Sequence, residues 1–262
     1  MDLKNVLYEV KDNIAVIVLN RPDSFNALDP LTFQELLLAV KAARDDGQVR
    51  VVVITGAGKA FCAGGDMDRM KSGTGLEPAG QRDEIRTNHQ IIKNIRDMEK
   101  PVIASVNGAA VGAGCDLALA CDLRIASEKA RFGEVFCNVG LVPDAGGTWF
   151  LPRLIGPAKA FELILTGRII DAQEAERIGL VTKLVAPEAL EAETMDLAGK
   201  LAQGPLLALG MAKTAIYRGM NIDLAAELEY EAYAQSILMK TEDYQEGVRA
   251  FVEKRRPQYK GK

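Results

Sequence analysis

The first half of the chain alternates apolar, strand-like runs with amphipathic helices. Two runs rich in β-branched residues, 6–10 and 14–19, flank Asp12-Asn13 and predict a β-hairpin. Asp29-Pro30 supplies a helix N-cap and a first-turn proline, which predicts a helix to about residue 44. A continuous apolar run at 51–55 is typical of a strand buried on both faces. Further along, the pattern predicts a loop or lid at 72–80, a helix at 82–100 and another apolar strand at 101–106.

The second half continues this alternation and then becomes wholly helical. The pattern predicts short strands at 122–126, 130–132 and 179–185, and helices at 157–165, 171–177 and 187–202. From residue 205 onward it is helical, and the last helix carries Tyr244, Val248, Phe251 and Val252 on one side. We therefore predict an α/β body over residues 1–204 and a C-terminal helical region over residues 205–262.

Composition argues against several classes of protein. The 262 residues carry a formal charge of −4, which disfavours binding of nucleic acid. The chain shows no long apolar run, leader or lipidation signal, which favours a cytoplasmic protein without membrane contact. Cys62, Cys115, Cys121 and Cys137 lack metal-ligand spacing and are interpreted as reduced core residues, so no metal site is expected. The single histidine, His89, is interpreted as a surface residue rather than a member of a catalytic triad.

Two glycine-rich loops each lead from a buried strand toward a helix. One spans residues 56–67, and the other opens the stretch 106–122, which contains an alanine-rich helix with an acid in its first turn. Glycine allows close approach to the backbone, and the free N–H groups of a helix start favour negative charge. The loops therefore predict an anion site. The alternatives are a flexible turn in the first loop and tight packing of a helix in the second.

Six motifs lie along nearly the whole chain in the order found in the crotonase, or enoyl-CoA hydratase/isomerase, superfamily, which the sequence resembles. They are Asn26-Ala27-Leu28, Ala60-Phe61-Cys62-Ala63-Gly64-Gly65-Asp66, the stretch from Asn107-Gly108 to Asp122, Pro143-Asp144-Ala145-Gly146-Gly147-Thr148, Leu165-Thr166-Gly167 and Ala175-Glu176-Arg177-Ile178-Gly179-Leu180-Val181. The resemblance implies a crotonase-like spiral of ββα units with a C-terminal helical region for oligomerisation. It also implies homotrimers, or hexamers made of two trimers, and a coenzyme A thioester as substrate with no further cofactor.

In this family two backbone N–H groups bind the thioester oxygen, and the matching positions here are Gly65 and Ala113. Moving a proton next to a thioester places negative charge on that oxygen. Two donors aimed at it therefore stabilise the transition state more than the substrate, which accounts for small residues in both loops.

The acidic residues indicate which reaction the resemblance implies. Family hydratases use two glutamates, whereas the first position here is Asp116 and the second is Phe136, which counts against simple hydration. Asp144 stands where dienoyl-CoA isomerases and the ring-opening isomerases of phenylacetate breakdown carry an aspartate. A single carboxylate can move a proton between two carbons, so we predict Asp144 as proton shuttle and Asp116 as second acid/base or orienting group. The alternatives are that Asp144 only caps a helix and that Asp116 is only a first-turn charge.

Two further expectations concern the surroundings of these acids. Pro143 and Ala145 flank Asp144 with apolar groups, which are expected to raise its pKa. Glu134 is interpreted as solvated or structural, although strand alternation would place it on the face of Phe136, where it could replace the missing acid.

For coenzyme A, the resemblance implies contacts with two segments of the chain. The positions are Ser24, Ala27, Ala60, Ala63, Asp66 and Met67. The basic end at 254–256, beginning with Lys254, is either a phosphate contact made across a subunit boundary or a solvated run of charge. Phe136 is expected to form part of the core or of the acyl pocket.

The expected function is a double-bond shift in an unsaturated acyl-CoA, through a thioester enolate stabilised by the two N–H groups. Acyl chain length, ring structure and pathway stay open. So do two other functions: an enoyl-CoA hydratase or dehydratase, including one for cyclic or dienoyl-CoA, and a non-catalytic relative that binds CoA or RNA. A dinucleotide-dependent dehydrogenase is disfavoured, because Gly56-Ala57-Gly58 is followed by no further glycine at the required spacing.

Overall fold

The computed structural model describes residues 2–262, and in them ten strands form two sheets. The larger sheet contains, in spatial order, β1 (Val6–Lys11), β2 (Ile14–Leu19), β3 (Val51–Gly56), β5 (Val102–Val106), β7 (Leu123–Ser127) and β10 (Lys183–Val185). The smaller sheet contains β4 (Ala60–Cys62), β6 (Ala109–Val111), β8 (Arg131–Gly133) and β9 (Ile170–Asp171). Neighbouring strands are parallel except in the pairs β1/β2 and β8/β9.

The helices surround these sheets and then leave them. Their bounds are α1 (Pro30–Asp45), α2 (Met67–Ser72), α3 (Pro78–Asp97), α4 (Ala113–Ala120), α5 (Gly147–Ile155), α6 (Pro157–Thr166), α7 (Ala172–Arg177), α8 (Leu190–Ala202), α9 (Leu206–Gly219), α10 (Leu224–Leu238) and α11 (Glu242–Val252). Each of β3, β5 and β7 in the large sheet is followed by a strand of the small sheet, β4, β6 or β8, and then by one or more helices. This repeat is the ββα spiral that the sequence resemblance implies, and its fold class is confirmed.

Local sequence accounts for the first elements. Asp12 and Asn13 adopt φ of 50° and 63°, the left-handed conformation that a tight hairpin turn needs. The Asp29 side chain accepts a hydrogen bond from the Thr32 N–H at 2.7 Å and so caps α1. The apolar strand β3 is buried on both faces, because Val52 and Ile54 enter the main core while Val51 and Val53 pack in a second cluster that includes α8. The hairpin, the first helix and the doubly buried strand are therefore confirmed.

Several predicted bounds are wrong. Helix α3 begins at Pro78, where proline suits a first turn, so part of the predicted loop 72–80 is helical. It ends at Asp97 rather than 100, since the chain becomes extended at Met98 on its way to Pro101. The predicted strand 179–185 is paired only at Lys183–Val185, because Gly179 takes φ +80° in a turn. Strands β4 and β6 lie inside the two glycine-rich loops, where their three-residue length left no periodic signal.

The C-terminal region is helical as predicted, from α9 through α11. Its outer surface carries large apolar side chains, among which Phe251 is 85% and Leu224 74% exposed. All four cysteines are free. Cys137 is exposed, so its prediction as a core residue is wrong; it lies in a surface 3-10 helix, Val135–Val139. Within residues 2–262, no helix is both long and apolar enough to cross a membrane.

Candidate active site

The ends of three neighbouring strands meet at one edge of the small sheet. Strands β4, β6 and β8 run parallel, so their carboxyl ends share this edge. The residues that follow them are Ala63-Gly64-Gly65, Gly112-Ala113 and Glu134. The Gly112 N–H donates to the Gly133 carbonyl at 2.8 Å, which ties the second and third ends together. Topology therefore gathers both glycine-rich loops and an acidic residue at one place.

The two loops approach so closely that only glycine fits between them. Gly64 and Gly112 have φ of +86° and +54°, in the region that residues with a side chain rarely adopt. A Cβ on Gly64 would lie 2.7 Å from the Val111 carbonyl oxygen and 3.4 Å from the Ala113 nitrogen. Within residues 2–262, neither the Gly65 nor the Ala113 N–H donates to a protein acceptor. The two predicted donors thus lie on adjoining segments with their N–H groups available.

The predicted alternative of tight helix packing applies to the next residue. A Cβ on Gly114 would overlap the carbonyl oxygen of Cys62, since α4 begins directly against the end of β4. Close contact between backbones is what a small residue permits. Glycine in this loop therefore serves both helix packing and exposure of the Ala113 N–H at the helix start.

Two amide side chains, one buried and one partly buried, hold the loops in place. The Asn26 Nδ2 donates to the carbonyls of Ala57 and Ala60 at 2.9 and 2.8 Å. The Asn107 Nδ2 donates to the Gly56 and Gly58 carbonyls at 2.8 and 3.0 Å. Amide groups can satisfy several backbone carbonyls at once, so these residues organise a loop that has little regular structure of its own.

A narrow cavity of about 40 Å³ opens beside the Ala113 end of α4. Asp144 and Ala113 both line it, and most of its remaining wall is apolar, including Leu28, Phe33 and Leu117. Asp144 is exposed to solvent on its other side and does not cap α5, whose N-cap is Gly146 without a side-chain hydrogen bond. The helix-cap alternative for Asp144 is therefore wrong.

His89 lies next to this carboxylate. Its Nε2 donates to the Asp144 carbonyl oxygen at 2.5 Å, from a half-buried position on α3. Partial burial raises the pKa of Asp144, and the positive field of His89 opposes that rise. His89 is thus partly exposed, as expected for a surface residue, but its ring also contacts the turn that carries Asp144. Its spacing from Ile85 and Ile92, on the inward side of the helix, was the available signal.

Asp116 and Glu134 form a second, closed group of carboxyls. Asp116 is fully buried in α4, and its Oδ2 accepts a hydrogen bond from the Ala145 N–H at 3.0 Å. Burial raises the pKa of Asp116, the Ala145 N–H opposes this, and the charge of Asp144 adds to it. Burial also raises the pKa of Glu134, and the charge of Asp116 raises it further.

Glu134 is interpreted from the sequence as solvated or structural, and its exposure of only 1% rules out the solvated alternative. Strand alternation does not place Glu134 on the face of Phe136, because β8 ends at Gly133 and a 3-10 helix starts at Val135. Glu134 comes close to Asp116 because it follows the third strand end at the common edge. The sequence signal for it is its place directly after the strand that ends in Phe132-Gly133.

Phe136 occupies the position of the missing second acid. Its ring atoms would lie 3.9 Å from a Cβ on Gly112, so the ring stands against the second glycine-rich loop. The side of the site that carries a second glutamate in the implied family pattern is therefore apolar here.

The residues predicted to bind coenzyme A fall into one group and one outlier. Segments 25–28 and 63–66 run side by side, with the Ala63 N–H donating to the Phe25 carbonyl at 3.0 Å and the Leu28 N–H to the Gly64 carbonyl at 2.8 Å. This pairing brings together the predicted positions Ser24, Ala27, Ala60, Ala63, Asp66 and Met67.

Within this group, Asp66 has a structural task. Its carboxylate caps α2 by accepting from the N–H groups of Asp68 and Arg69 at 3.0 and 3.2 Å. It also pairs with Arg21 at 2.8 Å, and this guanidinium holds the pKa of Asp66 below its usual range. Lys254 is the outlier, since it follows α11 in the helical region, and in residues 2–262 no hydrogen bond or ion pair links it to this group.

No group of three or more His, Cys, Asp or Glu side chains in residues 2–262 is arranged to hold a metal ion. What the site contains is two free backbone donors, an apolar cavity and carboxyl groups. Such a set can stabilise an oxyanion and transfer protons.

Comparison with known proteins agrees with this chemistry. The family model described as enoyl-CoA hydratase/isomerase matches residues 9–262. The chain is 41% identical to a crotonyl-CoA hydratase from Syntrophomonas wolfei, with 99% of each chain covered. It is 37% identical to a 1,2-epoxyphenylacetyl-CoA isomerase from Escherichia coli, with 98% of each chain covered. The crystal structure of an enoyl-CoA hydratase from Bacillus anthracis matches with a TM-score of 0.93 at 39% identity, covering 99% of this chain and 100% of that one. The chain therefore belongs to the enoyl-CoA hydratase/isomerase family of enzymes.

Proposed function

We propose that this enzyme shifts a carbon–carbon double bond in an unsaturated acyl-CoA. The observation that carries the proposal is that Asp144 and Ala113 line the same apolar cavity. One carboxylate and one oxyanion donor thus face a space suited to the carbons next to a thioester.

The reaction follows from these positions. The thioester oxygen accepts hydrogen bonds from the Gly65 and Ala113 N–H groups, and Asp144 removes a proton from C2 of a 3-enoyl-CoA. The C2 electrons form the C1–C2 double bond of a dienolate that keeps the C3–C4 double bond, and the dienolate charge rests on the thioester oxygen. When the carbonyl re-forms, the C1–C2 electrons move to C2–C3 and the C3–C4 electrons bind a proton at C4. Asp144 then returns its proton to C4, which yields the 2-enoyl-CoA and restores the carboxylate. Since every atom is conserved, we expect no cofactor beyond the coenzyme A of the substrate.

Asp116 fits the role of an orienting group better than that of a second acid/base. It is fully buried, and one of its oxygens is occupied by the Ala145 N–H, directly after Asp144 in the chain. This contact holds the turn that carries the proposed proton shuttle.

Hydration of an enoyl-CoA is the second candidate, and the printed names of relatives favour it, including the crotonyl-CoA hydratase at 41% identity. Hydration needs acidic groups that hold and activate water. Here the apolar Phe136 ring stands against the Gly112 loop, and Asp116 is closed to solvent. An acid pair of Asp116 and Asp144 would therefore have to open before it could hold a water molecule.

The remaining features suggest how substrate and subunits assemble. We propose that coenzyme A lies along the paired segments 25–28 and 63–66, and that the enzyme is a homotrimer or a hexamer. The exposed apolar side chains of α10 and α11 support such an assembly. They include Leu224, Leu228, Val248, Phe251 and Val252. In this arrangement Lys254 would reach a coenzyme A phosphate of a neighbouring subunit, and light scattering would measure the number of subunits.

The deciding experiment compares two substrates in heavy water. Purified enzyme is incubated separately with a 3-enoyl-CoA and with crotonyl-CoA, and products are followed by mass spectrometry. We expect rapid conversion of the 3-enoyl to the 2-enoyl ester without hydroxyacyl product, and slow addition of water to crotonyl-CoA. Fast hydration of crotonyl-CoA with no conversion of the 3-enoyl ester would overturn the proposal in favour of the hydratase.

A further inference from the structure

The buried carboxyl groups of Asp116 and Glu134 face each other beside Gly147. A Cβ added to Gly147 would overlap Asp116 Oδ1 and would lie 3.0 Å from each of the two Glu134 oxygens. Both carboxyl groups therefore lie against the same point of the Gly147 backbone. Both residues are almost wholly inaccessible, at 0% and 1% exposure.

The protein supplies too few donors for two negative charges here. The Ala145 N–H binds Asp116 Oδ2. Within residues 2–262, Asp116 Oδ1 and both Glu134 oxygens have no hydrogen-bond partner. The nearby Gly147 N–H lowers the pKa of Asp116 and the Cys115 thiol lowers that of Glu134, but neither outweighs burial, and no cation among these residues contributes to the surroundings of either group. The other titratable groups that face the pair are the carboxyl of Asp144 and the thiol of Cys115, whose pKa is raised by burial. Two ionised carboxyls in this setting would repel each other without compensation.

If the pair of carboxyl groups keeps one proton, the repulsion between them is removed. The protonated carboxyl group donates a hydrogen bond through its O–H, and an oxygen of the other carboxyl group accepts it. Asp116 is the better site for the negative charge because it alone accepts a backbone N–H, so the proton belongs on Glu134. A hydrogen bond between a neutral acid and a carboxylate is stronger than one between neutral groups.

We propose that Glu134 is a positioning residue of this active site: it keeps its proton, donates it to Asp116 Oδ1, and so holds Asp116 ionised against the Ala145 N–H. Ala145 directly follows Asp144, so the pair fixes the turn that places Asp144 at the cavity. The effect on turnover rests on the isomerisation proposed above. The protonation of Glu134 does not.

The first test reads the proton directly and needs no substrate. Infrared difference spectra at neutral pH compare the wild type with Glu134→Gln in the region of the protonated carboxyl C=O stretch. We expect a band in the wild type that disappears in Glu134→Gln and persists in Asp144→Asn. A wild type without the band, or a Glu134→Gln protein that retains it, would overturn the proposal whatever reaction the enzyme catalyses.

The second test separates positioning from simple filling of space. Glu134→Gln keeps the volume and an N–H donor toward Asp116, whereas Glu134→Leu keeps approximate volume and removes the donor. We expect Glu134→Leu to lower kcat roughly tenfold or more with KM nearly unchanged, and Glu134→Gln to recover most of that loss. Equal impairment of both variants, or none in Glu134→Leu, would refute the positioning role. A folded enzyme with the infrared band but without isomerase activity would instead count against the proposed function alone.

Discussion

Asp144 and Asp116 are two carboxyls of the same site in opposite surroundings. Asp144 is open to solvent, lines an apolar cavity and has a histidine beside its backbone. Asp116 is closed off, with one oxygen on a backbone N–H and the other facing Glu134. A group that must exchange protons with substrate needs access, whereas a group that orients its neighbours needs fixed partners. The contrast supports the proposal that Asp144 transfers the proton and that Asp116 orients Asp144.

The largest expected effect on activity comes from removing the carboxylate of Asp144. Asp144→Asn should lower kcat for 3-enoyl-CoA by roughly 10²- to 10⁴-fold, since the amide cannot accept the proton from C2. Steady-state kinetics measures the change, and isothermal titration with a coenzyme A ester should show binding within a few-fold of wild type. Asp196→Asn, on the exposed surface of α8, is the matched control. A fully active Asp144→Asn would remove the chemical role from this residue.

The buried pair of Asp116 and Glu134 should tolerate added side-chain volume less well than Asp144, which is open to solvent. Gly147→Ala places a methyl group against Asp116 and Glu134, so we expect the free energy of unfolding to fall by about 1–3 kcal/mol. Urea denaturation measures it. Gly199→Ala in α8 meets nothing within 4 Å and should leave stability equal or slightly raised. If both variants unfold alike, the pair is less tightly packed than described.

The two carboxyl environments should also differ in how pH affects stability. Because the folded state raises the pKa of Glu134, it holds a proton that the unfolded chain releases above about pH 4. The contribution of this proton to the free energy of unfolding is fully present below that pH. It falls by up to about 1.4 kcal/mol per pH unit as pH rises toward the raised pKa. Denaturation across a pH series should show this slope in the wild type and a flatter one in Glu134→Gln. Identical slopes would mean that Glu134 is ionised in both states.

The smallest expected effect comes from replacing His89, which lies beside Asp144. The field of His89 lowers the pKa of Asp144, so His89→Ala should move the acid limb of the kcat/KM profile upward by a few tenths of a unit. Asp144 acts as a base only when ionised, so activity at mildly acidic pH should fall while the plateau changes little. Thr87→Ala, exposed on the same helix, is the control. A downward shift would show that His89 does not favour the ionised form.

The sequence by itself determined the family and the ββα repeat with its helical end, and it located both glycine-rich loops and the acidic positions Asp116 and Asp144. These features are local, since glycines, an N-cap or an apolar run can be read within a few neighbouring positions. The two backbone donors could only be inferred from the sequence through the family resemblance, because N–H groups leave no mark in it beyond small residues.

Only the tertiary structure decided which side chains meet. Glu134 follows a strand too short to show alternation, and it contacts Asp116 because β6 and β8 end at the same edge of the sheet. His89 reaches Asp144 across 55 positions of sequence, from one helix to the turn before another. Such contacts depend on how strands pair and helices pack, and a pattern of neighbouring residues cannot encode the partner that the fold brings from elsewhere.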